Sequence, residues 1–433
     1  MNPAAQRLVD GKRQHLLPCL YHFYADPPVL VRGQMQYLFD AGGRRYTDFY
    51  AGVTVMNAGH CNPAILGPAL AQAGQLQHTT SIYLTEPMIA LAAELAAFLG
   101  PGFEKCFFVN SGSEANEGAL LLARLFTGRH GFIALRGGLH GRTHLTMSLT
   151  GLDLWRTDPH PSPAARLAPR PHCAACELGR EFGSCGYACV EAVAAMLEAD
   201  GNVAALIAEP IQGNGGIVAP PPEYFSRLRA VLAARGVLLI LDEVQTGFSR
   251  TGADMRFHAL GAKPDIVTVA KALGNGFPIG AFCAGERIAA CYTRPGASTT
   301  GGNPVASTAA LAVLKYHRER GLAERATRLG AELRVRLNAL AADHPEECRE
   351  LRGAGLMLGL ELSRGGEPLA RETEAILEDL KDAGYLAGKT GIGRNVLTFM
   401  PPLVIEEPDI EGLCDSLGRV LAARLGSRAG GGA

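Results

Sequence analysis

The chain of 433 residues is poor in aromatic side chains and carries no excess of either charge. Phenylalanine, tyrosine and tryptophan make up 6% of the residues, with a single tryptophan, and the formal net charge is −1. A balanced charge gives no reason to expect nucleic acid or an acidic surface as a partner. The chain also lacks an apolar run of membrane-spanning length, because Glu94 interrupts the short stretch at residues 89–99. We therefore expect neither a nucleic-acid partner nor a membrane segment.

The N-terminus also lacks the apolar core of a signal peptide, since it begins Met-Asn-Pro-Ala-Ala-Gln-Arg. This absence predicts a cytoplasmic protein in which most of the eleven cysteines are reduced. At 433 residues the chain exceeds one typical hydrophobic core, so we expect two domains.

Apolar runs typical of buried strands alternate with longer amphipathic stretches typical of helices. Residues 203–208 are followed by Glu209, a proline-rich turn, an amphipathic stretch at 224–232 and a second apolar run at 237–241. This order is typical of a βαβ unit. Its repetition predicts an α/β fold with a mostly parallel sheet covered by helices.

Two polar residues stand where such strands end, which is where open α/β sheets bind ligands. Asp242 closes the apolar run 237–241, and Lys271 lies between an apolar run and the glycine-rich turn 274–278. A lysine amine condenses with the aldehyde of pyridoxal phosphate (PLP), and a carboxylate keeps the pyridine nitrogen of PLP protonated. The pair therefore predicts a PLP site. Taken singly, Lys271 also fits a solvated lysine at a helix start, and Asp242 fits a capping residue.

A cradle for the PLP phosphate is expected at residues 110–117. Residues 106–109 are typical of a short buried strand, and residues 118–126 are typical of a helix. Ser111 followed by Glu114 fits a capping box, which places the start of the helix in this loop. Free backbone N–H groups and the positive end of the helix dipole would face a phosphate there. Taken alone, the same pattern is equally typical of a capped helix after a strand.

Together these motifs resemble those of the class III (ornithine/4-aminobutyrate type) PLP-dependent aminotransferases. The matching stretches cover nearly the whole chain from Tyr37 onward and lie at residues 39–40, 48–49, 59–63, 110–117, 140–143, 209–213, 241–252, 271–280, 298–304 and 401–403. The resemblance implies a fold-type I enzyme with a large PLP-binding domain at 60–310. A small α/β domain would combine 1–59 with 311–433, and the glycine-rich residues 427–433 would form a flexible tail.

The resemblance also assigns roles to individual residues. Lys271 would be the Schiff-base lysine and the acid/base that moves a proton between the substrate carbon and the cofactor. Asp242 would pair with the pyridinium nitrogen, and Gln245 would approach the ring hydroxyl. The other cofactor contacts implied are Ser111, Gly112 and Ser113 at the phosphate, Leu139 on the ring face, His140, Glu209, and Thr299 from a partner subunit. The contact from Thr299 makes a homodimer the minimum active unit.

Substrate recognition is where the chain departs from the family pattern. The positions implied are Val53, Arg142, Asn214 and Thr398. Leu139 and Thr300 stand where aromatic residues are common in the family. Asn214 stands where ornithine-type members have a glutamate, and Thr398 stands where most members have the arginine that binds an α-carboxylate.

Arg142 remains, and the matching arginine of 4-aminobutyrate-type relatives binds the carboxylate at the far end of an ω-amino acid. Because the residues expected at 214 and 398 are both absent, we predict poor use of glutamate and ornithine. Better substrates would carry a primary amine or aldehyde remote from any anion, or no carboxylate at all.

A proline- and cysteine-rich excursion at 156–190 falls outside the alternating pattern. Five prolines between residues 156 and 172 predict a surface segment rather than core. It leads into four closely spaced cysteines: Cys173, Cys176, Cys185 and Cys189. Paired thiolates suit zinc, but no histidine or aromatic pattern completes a known zinc finger. We expect no metal here and keep a structural zinc as the alternative.

An aminotransferase is the leading prediction, because every group needed for both half-reactions is present. A PLP-dependent lyase or epimerase on the same scaffold is the alternative, since the cofactor residues alone do not distinguish these reactions. A non-catalytic binding protein built on the fold is the third possibility, and the presence of both Lys271 and Asp242 argues against it.

Overall fold

The structure, a computed structural model of the chain, describes residues 3–426. The tail predicted at 427–433 lies outside the described residues. The strands, numbered along the chain, are β1 (Leu30–Gln34), β2 (Tyr37–Asp40), β3 (Arg45–Asp48), β4 (Lys105–Val109), β5 (Gly131–Leu135), β6 (Ala165–Ala168), β7 (Val203–Ala208), β8 (Leu238–Asp242), β9 (Ile266–Val269), β10 (Gly280–Ala284), β11 (Cys348–Ala354), β12 (Met357–Arg364), β13 (Glu367–Pro368), β14 (Tyr385–Leu386), β15 (Gly388–Thr390) and β16 (Val396–Phe399).

The α-helices, numbered in the same way, are α1 (Pro3–His15), α2 (Ala51–Thr54), α3 (Pro63–Gln75), α4 (Glu86–Leu99), α5 (Gly112–Thr127), α6 (His144–Ser148), α7 (Ala188–Ala199), α8 (Tyr224–Ala233), α9 (Arg256–Ala259), α10 (Glu286–Ala289), α11 (Pro304–Arg320), α12 (Leu322–Ala342), α13 (Ala370–Asp382) and α14 (Glu407–Leu425). No helix within residues 3–426 is long and apolar enough to cross a membrane.

Seven strands form the central sheet, in the spatial order β4-β10-β9-β8-β7-β5-β6. β9, β8, β7, β5 and β6 pair in parallel, while β10 runs antiparallel to both of its neighbours. The prediction of a mostly parallel sheet is therefore confirmed. β7 and β8 are buried along their whole length, which matches their continuous apolar sequence. Apolar side chains pack on both faces of this sheet.

The excursion at 156–190 differs from its sequence-based prediction in one respect. Residues 165–168 are not a surface loop but β6, which pairs in parallel with β5 at the sheet edge. Pro163 and Pro169 flank this strand rather than interrupt it. An edge strand has one unpaired side, so nearby prolines disturb the hydrogen-bond ladder little.

A second sheet lies in the C-terminal third of the chain, in the order β11-β12-β16-β15 with antiparallel pairing. It packs with α12, α13 and α14 around a separate apolar cluster. A third sheet joins the two ends of the chain, because β3 pairs in parallel with β14. This pairing suits a small domain built from both termini, although the limits 60–310, 1–59 and 311–433 stay a prediction.

Candidate active site

A cleft of about 380 Å³ lies at the carboxyl edge of the central sheet. β4, β5, β7, β8 and β9 all point their carboxyl ends toward it, which is the usual ligand position in an open α/β sheet. The residues that line the cleft are Val55, Asn110, Ser111, Gly112, Ser113, Asn116, Leu139, His140, Gly141, Arg142, Glu209, Asn214, Asp242, Val244, Gln245, Ala270, Lys271, Gly276, Phe277, Pro278 and Ile279.

Lys271 follows β9 and opens a short 3-10 turn, Lys271–Leu273, on the wall of the cleft. Its φ of 47° lies in the left-handed region, which costs a non-glycine residue about 1–3 kcal/mol and is concentrated at functional sites. Burial lowers the pKa of Lys271, although the negative charges of Glu209 and Asp242 act in the opposite direction. A lysine with a lowered pKa has a larger neutral fraction, and the neutral amine is the form that acts as nucleophile or base.

Asp242 is the last residue of β8 and is only 3% exposed. Its Oδ2 accepts a hydrogen bond from Asn116 Nδ2 at 2.7 Å and lies 2.9 Å from His140 Nδ1, while Oδ1 accepts from the Val244 amide at 3.1 Å. A buried carboxylate needs such partners, because burial alone disfavours its charged form. The side chain is thereby held in one orientation at the floor of the cleft.

Asn116 is the member of this network that the sequence gave no reason to single out. Its amide also donates to the His140 carbonyl at 2.7 Å, and its Oδ1 accepts from the Thr268 hydroxyl at 2.6 Å. Thr268 lies on β9, next to the strand that carries Asp242. Asn116 therefore ties α5, β8 and β9 together beneath the site. The pattern Asn-x5-Asn-Glu at residues 110–117 was visible in the sequence, but it did not indicate which asparagine turns inward.

The phosphate cradle predicted at 110–117 has the expected helix start. Ser111 is the N-cap of α5, and its Oγ accepts from the Glu114 amide at 3.2 Å. The return bond of the capping box differs, because Glu114 Oε2 accepts from the Asn110 amide at 2.6 Å rather than from Ser111. The amides of Gly112 and Ser113 lie in the first turn, before any intrahelical acceptor is in reach. They and the helix dipole are suited to bind a phosphate.

Glu209 holds two loops of the cleft in place. Its Oε1 accepts from the Leu139 amide at 2.8 Å, and its Oε2 accepts from the Gly213 amide at 2.9 Å. Burial, with a further contribution from the charge of Asp242, raises the pKa of Glu209 to about 7. Glu209 thus positions the loops after β5 and β7. Whether its carboxyl group is ionised depends on the other charges in the cleft.

Gln245 faces the same loop with an unsatisfied acceptor. Its side chain is buried, and its Oε1 has no hydrogen-bond partner within residues 3–426. A Cβ at Gly213 would lie 1.9 Å from this oxygen, so only glycine leaves the space open. A buried acceptor without a partner destabilises the folded protein by about 1–3 kcal/mol. We therefore expect a bound ligand to donate a hydrogen bond to Gln245 Oε1.

Two of the four predicted substrate positions line the cleft. Arg142 is exposed, and its amide donates to Ser113 Oγ at 3.0 Å. Asn214 is half-buried, and its carbonyl accepts from the Gly391 amide at 2.9 Å. Both positions are open to a bound molecule.

Three other predicted positions do not line the cleft formed by the described residues: Val53, Thr398 and Thr299. Val55 occupies the wall in place of Val53. The side chain of Thr398 is fully buried, and its Oγ1 lies 2.9 Å from Thr390 Oγ1. Thr299 is exposed on this chain.

The four cysteines of the excursion lie around one small cavity of about 20 Å³. Burial raises the pKa of Cys173, and it raises the pKa of Cys189 to about 11. No three cysteine sulfurs of the described chain lie within 4.8 Å of one another. The residues that do meet this spacing are His172, Glu350 and Glu361, and Arg352 already forms ion pairs with both of those glutamates.

This arrangement defines a fold-type I PLP-dependent enzyme: a mostly parallel sheet, a lysine and an acid at its carboxyl edge, and a helix N-terminus that faces them. A family model described as aminotransferase class-III matches residues 24–421, and the chain belongs to this family. The family resemblance predicted from the motifs is therefore confirmed, as are PLP as the cofactor and amino-group transfer as the activity.

Three known proteins illustrate the similarity. The acetylornithine aminotransferase of Mycobacterium tuberculosis is 40% identical over 96% of this chain and 97% of its own length. The leucine/methionine racemase of Thermococcus litoralis is 39% identical over 92% of this chain and 91% of its own length. The crystal structure of a Bacillus anthracis aminotransferase has a TM-score of 0.90 at 29% identity, and covers 98% of this chain and 100% of that one.

The residues present fit PLP. A phosphate suits the amides at the start of α5, a pyridinium nitrogen suits the Asp242 carboxylate, and a ring hydroxyl supplies the donor that Gln245 Oε1 lacks. Gly112 also leaves no room for another side chain, because a Cβ there would lie 2.9 Å from Val244 Cγ1. The cleft therefore has a place for each polar group of the cofactor.

Asn116→Ala is expected to weaken PLP binding. The change leaves the Thr268 hydroxyl without its acceptor and takes one donor from Asp242. An unsatisfied buried group costs about 1–3 kcal/mol, which corresponds to roughly a 5- to 150-fold loss of affinity. Titration of the apoenzyme with PLP, followed by absorbance, measures this. The matched control is Asn202→Ala, whose side chain contacts only His130 at the surface; equal PLP affinity in both variants would contradict the role given to Asn116.

Proposed function

We propose that Lys271 is the catalytic residue of this aminotransferase, and that Asp242, Gln245, Ser111, Gly112 and Ser113 hold its cofactor. The observation that carries the proposal is the half-buried Lys271 at the edge of the cleft, with the buried Asp242 at the floor. When bound there, PLP accepts the electron pair left on the substrate carbon after its proton is removed. Asp242 keeps a proton on the ring nitrogen, which this chemistry requires.

Lys271 is the group that removes and returns the proton. Its lowered pKa raises the fraction of neutral amine near neutral pH. The turn that carries it is rigid, since the amide of Gly274 donates to the Lys271 carbonyl at 3.1 Å. Leu139 lines the cleft wall and would exclude water from the ring face of a bound cofactor, and His140 helps to hold Asp242 in place.

The homodimer is also part of the proposal. Thr299 is exposed and lies outside the cleft of its own chain, which agrees with a contact to the phosphate of a partner subunit. The cytoplasm is the proposed location, because all eleven cysteines are free thiols, including Cys106 and Cys283, whose sulfurs lie 3.1 Å apart.

The proposed substrate is a primary amine or ω-amino compound, with a keto acid or aldehyde as the second substrate. Thr398 supplies no positive charge, and it is buried against Thr390. Arg142 lines the cleft and has no ion-pair partner among residues 3–426. An anion on the substrate is therefore recognised best when it is distant from the amine, near Arg142.

Lys271→Ala is expected to abolish turnover, because it removes both the covalent anchor and the acid/base. Activity is measured with an amine donor and a keto acid, and circular dichroism reports the fold. Lys263→Ala, at an exposed loop lysine eight residues earlier, is the control and is expected to keep normal activity. Full activity in Lys271→Ala would overturn the site assignment.

Arg142→Ala is expected to raise KM selectively for donors with a distal anion. A desolvated charge-pair contact contributes about 2–5 kcal/mol, or roughly 30- to several-thousand-fold in affinity. The measurement compares 4-aminobutyrate with butylamine, which has the same chain without the carboxylate. Arg166→Ala, at the sheet edge, is the matched control. Equal effects of Arg142→Ala on both donors, with rapid use of glutamate, would contradict this specificity.

The alternative of a lyase or epimerase is not favoured, although one relative at 39% identity is named a leucine/methionine racemase. Amino-group transfer can be distinguished from racemisation directly. The two reactions differ in their requirement for a keto acid. A single enantiomer of leucine incubated without any keto acid is the discriminating test, with chiral chromatography as the measurement. Without a keto acid, an aminotransferase consumes at most one equivalent of leucine per active site and forms none of the opposite enantiomer. A racemase converts one enantiomer into the other continuously.

We also expect no stoichiometric metal at the four cysteines. Burial raises the pKa of Cys173 and Cys189, and no three cysteine sulfurs of the described chain lie within 4.8 Å of one another. The Cys173→Ser, Cys176→Ser double variant is expected to keep cofactor binding and activity. Elemental analysis of the purified protein measures the metal content. One zinc per chain, lost together with thermal stability in the double variant, is the outcome that rejects this expectation.

A further inference from the structure

A second, larger hollow adjoins the cleft, and Arg142 lines both. This groove has a volume of about 970 Å³. Its walls come from the N-terminal segment 19–25, from residues 147–157 and from the C-terminal residues 374–394. A ligand that reaches Lys271 past Arg142 therefore extends directly into the groove.

Aromatic rings form much of the groove wall. Tyr21 lies 5.8 Å from Phe23 and 5.9 Å from Trp155, measured between ring centroids. Tyr21 is 50% exposed and Leu154 is 60% exposed. At these distances the rings already pack against one another, so they present one joint surface to the groove. Contiguous exposed apolar surface of this kind marks a binding site.

The N-terminal wall is anchored rather than loose. The amides of Ala25 and Asp26 donate to the Glu378 carboxylate at 2.9 and 3.2 Å. Lys381 Nζ donates to the Asp26 carbonyl at 3.0 Å, and Tyr24 donates to the Ala387 carbonyl at 3.2 Å. The groove is therefore formed before any ligand binds, and pre-formed pockets of about 300–1,000 Å³ are typical of small-molecule sites.

We propose that this groove binds a bulky aromatic or branched apolar group of the amine substrate, packed against the joint surface of Tyr21 and Trp155. The proposal rests on the proposed function, since it places the amine at Lys271. A short aliphatic amine ends near Arg142 and leaves the groove walls exposed to water. A donor with a phenyl group at the far end of its chain extends past Arg142 toward these walls, so the groove determines the size of the preferred substrate.

The test compares butylamine with 4-phenylbutylamine, which differ only in the ring. We expect KM for 4-phenylbutylamine to be about tenfold lower, as for one ring–ring contact with its buried area. In Trp155→Ala and Tyr21→Ala this ratio is expected to fall to about one. The control is Phe182→Ala, an aromatic residue that is 51% exposed but lies outside the groove; it is expected to keep the tenfold ratio.

A second readout does not depend on activity. Trp155 is the single tryptophan of the chain, so intrinsic fluorescence reports on the groove alone. The unreactive alcohol 4-phenylbutan-1-ol is expected to change this fluorescence saturably in the holoenzyme, whereas butan-1-ol is not.

Equal KM values for the two amines, with no fluorescence change, would overturn the groove proposal while leaving the aminotransferase intact. The groove proposal is also overturned if acrylamide fails to quench the fluorescence of Trp155 in the holoenzyme without ligand. That result would mean that another protein surface fills the groove. Absence of turnover with every amine is the separate result that rejects the proposed function.

Discussion

A carboxylate buried at the end of a central strand is the constraint on which the site depends. Asp242 is almost inaccessible to water, and a charge in such a place is tolerated only with several donors around it. Those donors come from α5 through Asn116, from the loop after β5 through His140, and from the turn after β8 through Val244. The same three segments carry the phosphate cradle, Arg142 and Gln245, so the carboxylate and the rest of the cleft are positioned together.

A second buried carboxylate makes the site dependent on bound positive charge. Glu209 has its pKa raised to about 7, first by burial and then by Asp242. Two nearby carboxylates are easier to keep ionised when a cation lies between them. In the proposed function, the protonated ring nitrogen of the cofactor would be such a cation, so cofactor binding and the ionised form of Glu209 would favour each other.

The sequence predicted the parts of the site that depend on local structure. Lys271, Asp242 and Ser111 each mark the end of a strand or the start of a helix, which short patterns identify. Asn116 was missed because its partner Asp242 is 126 residues away. β6 was missed because only its pairing with β5 distinguishes it from a loop among prolines. The groove was missed for the same reason, since its walls come from three separate parts of the chain.

The surroundings of Thr398 bear on the predicted loss of an α-carboxylate contact at this position. The residue is fully buried, bonded to Thr390 on the adjacent strand and to the Val396 carbonyl. The space around it is closed, with Gly359 directly across the strand pair. An arginine placed there alone would have no buried anion as partner, so it would be destabilising. In the proposed function, recognition of an anion would fall to Arg142, where the cleft meets the groove, and this position would favour substrates that extend away from Lys271.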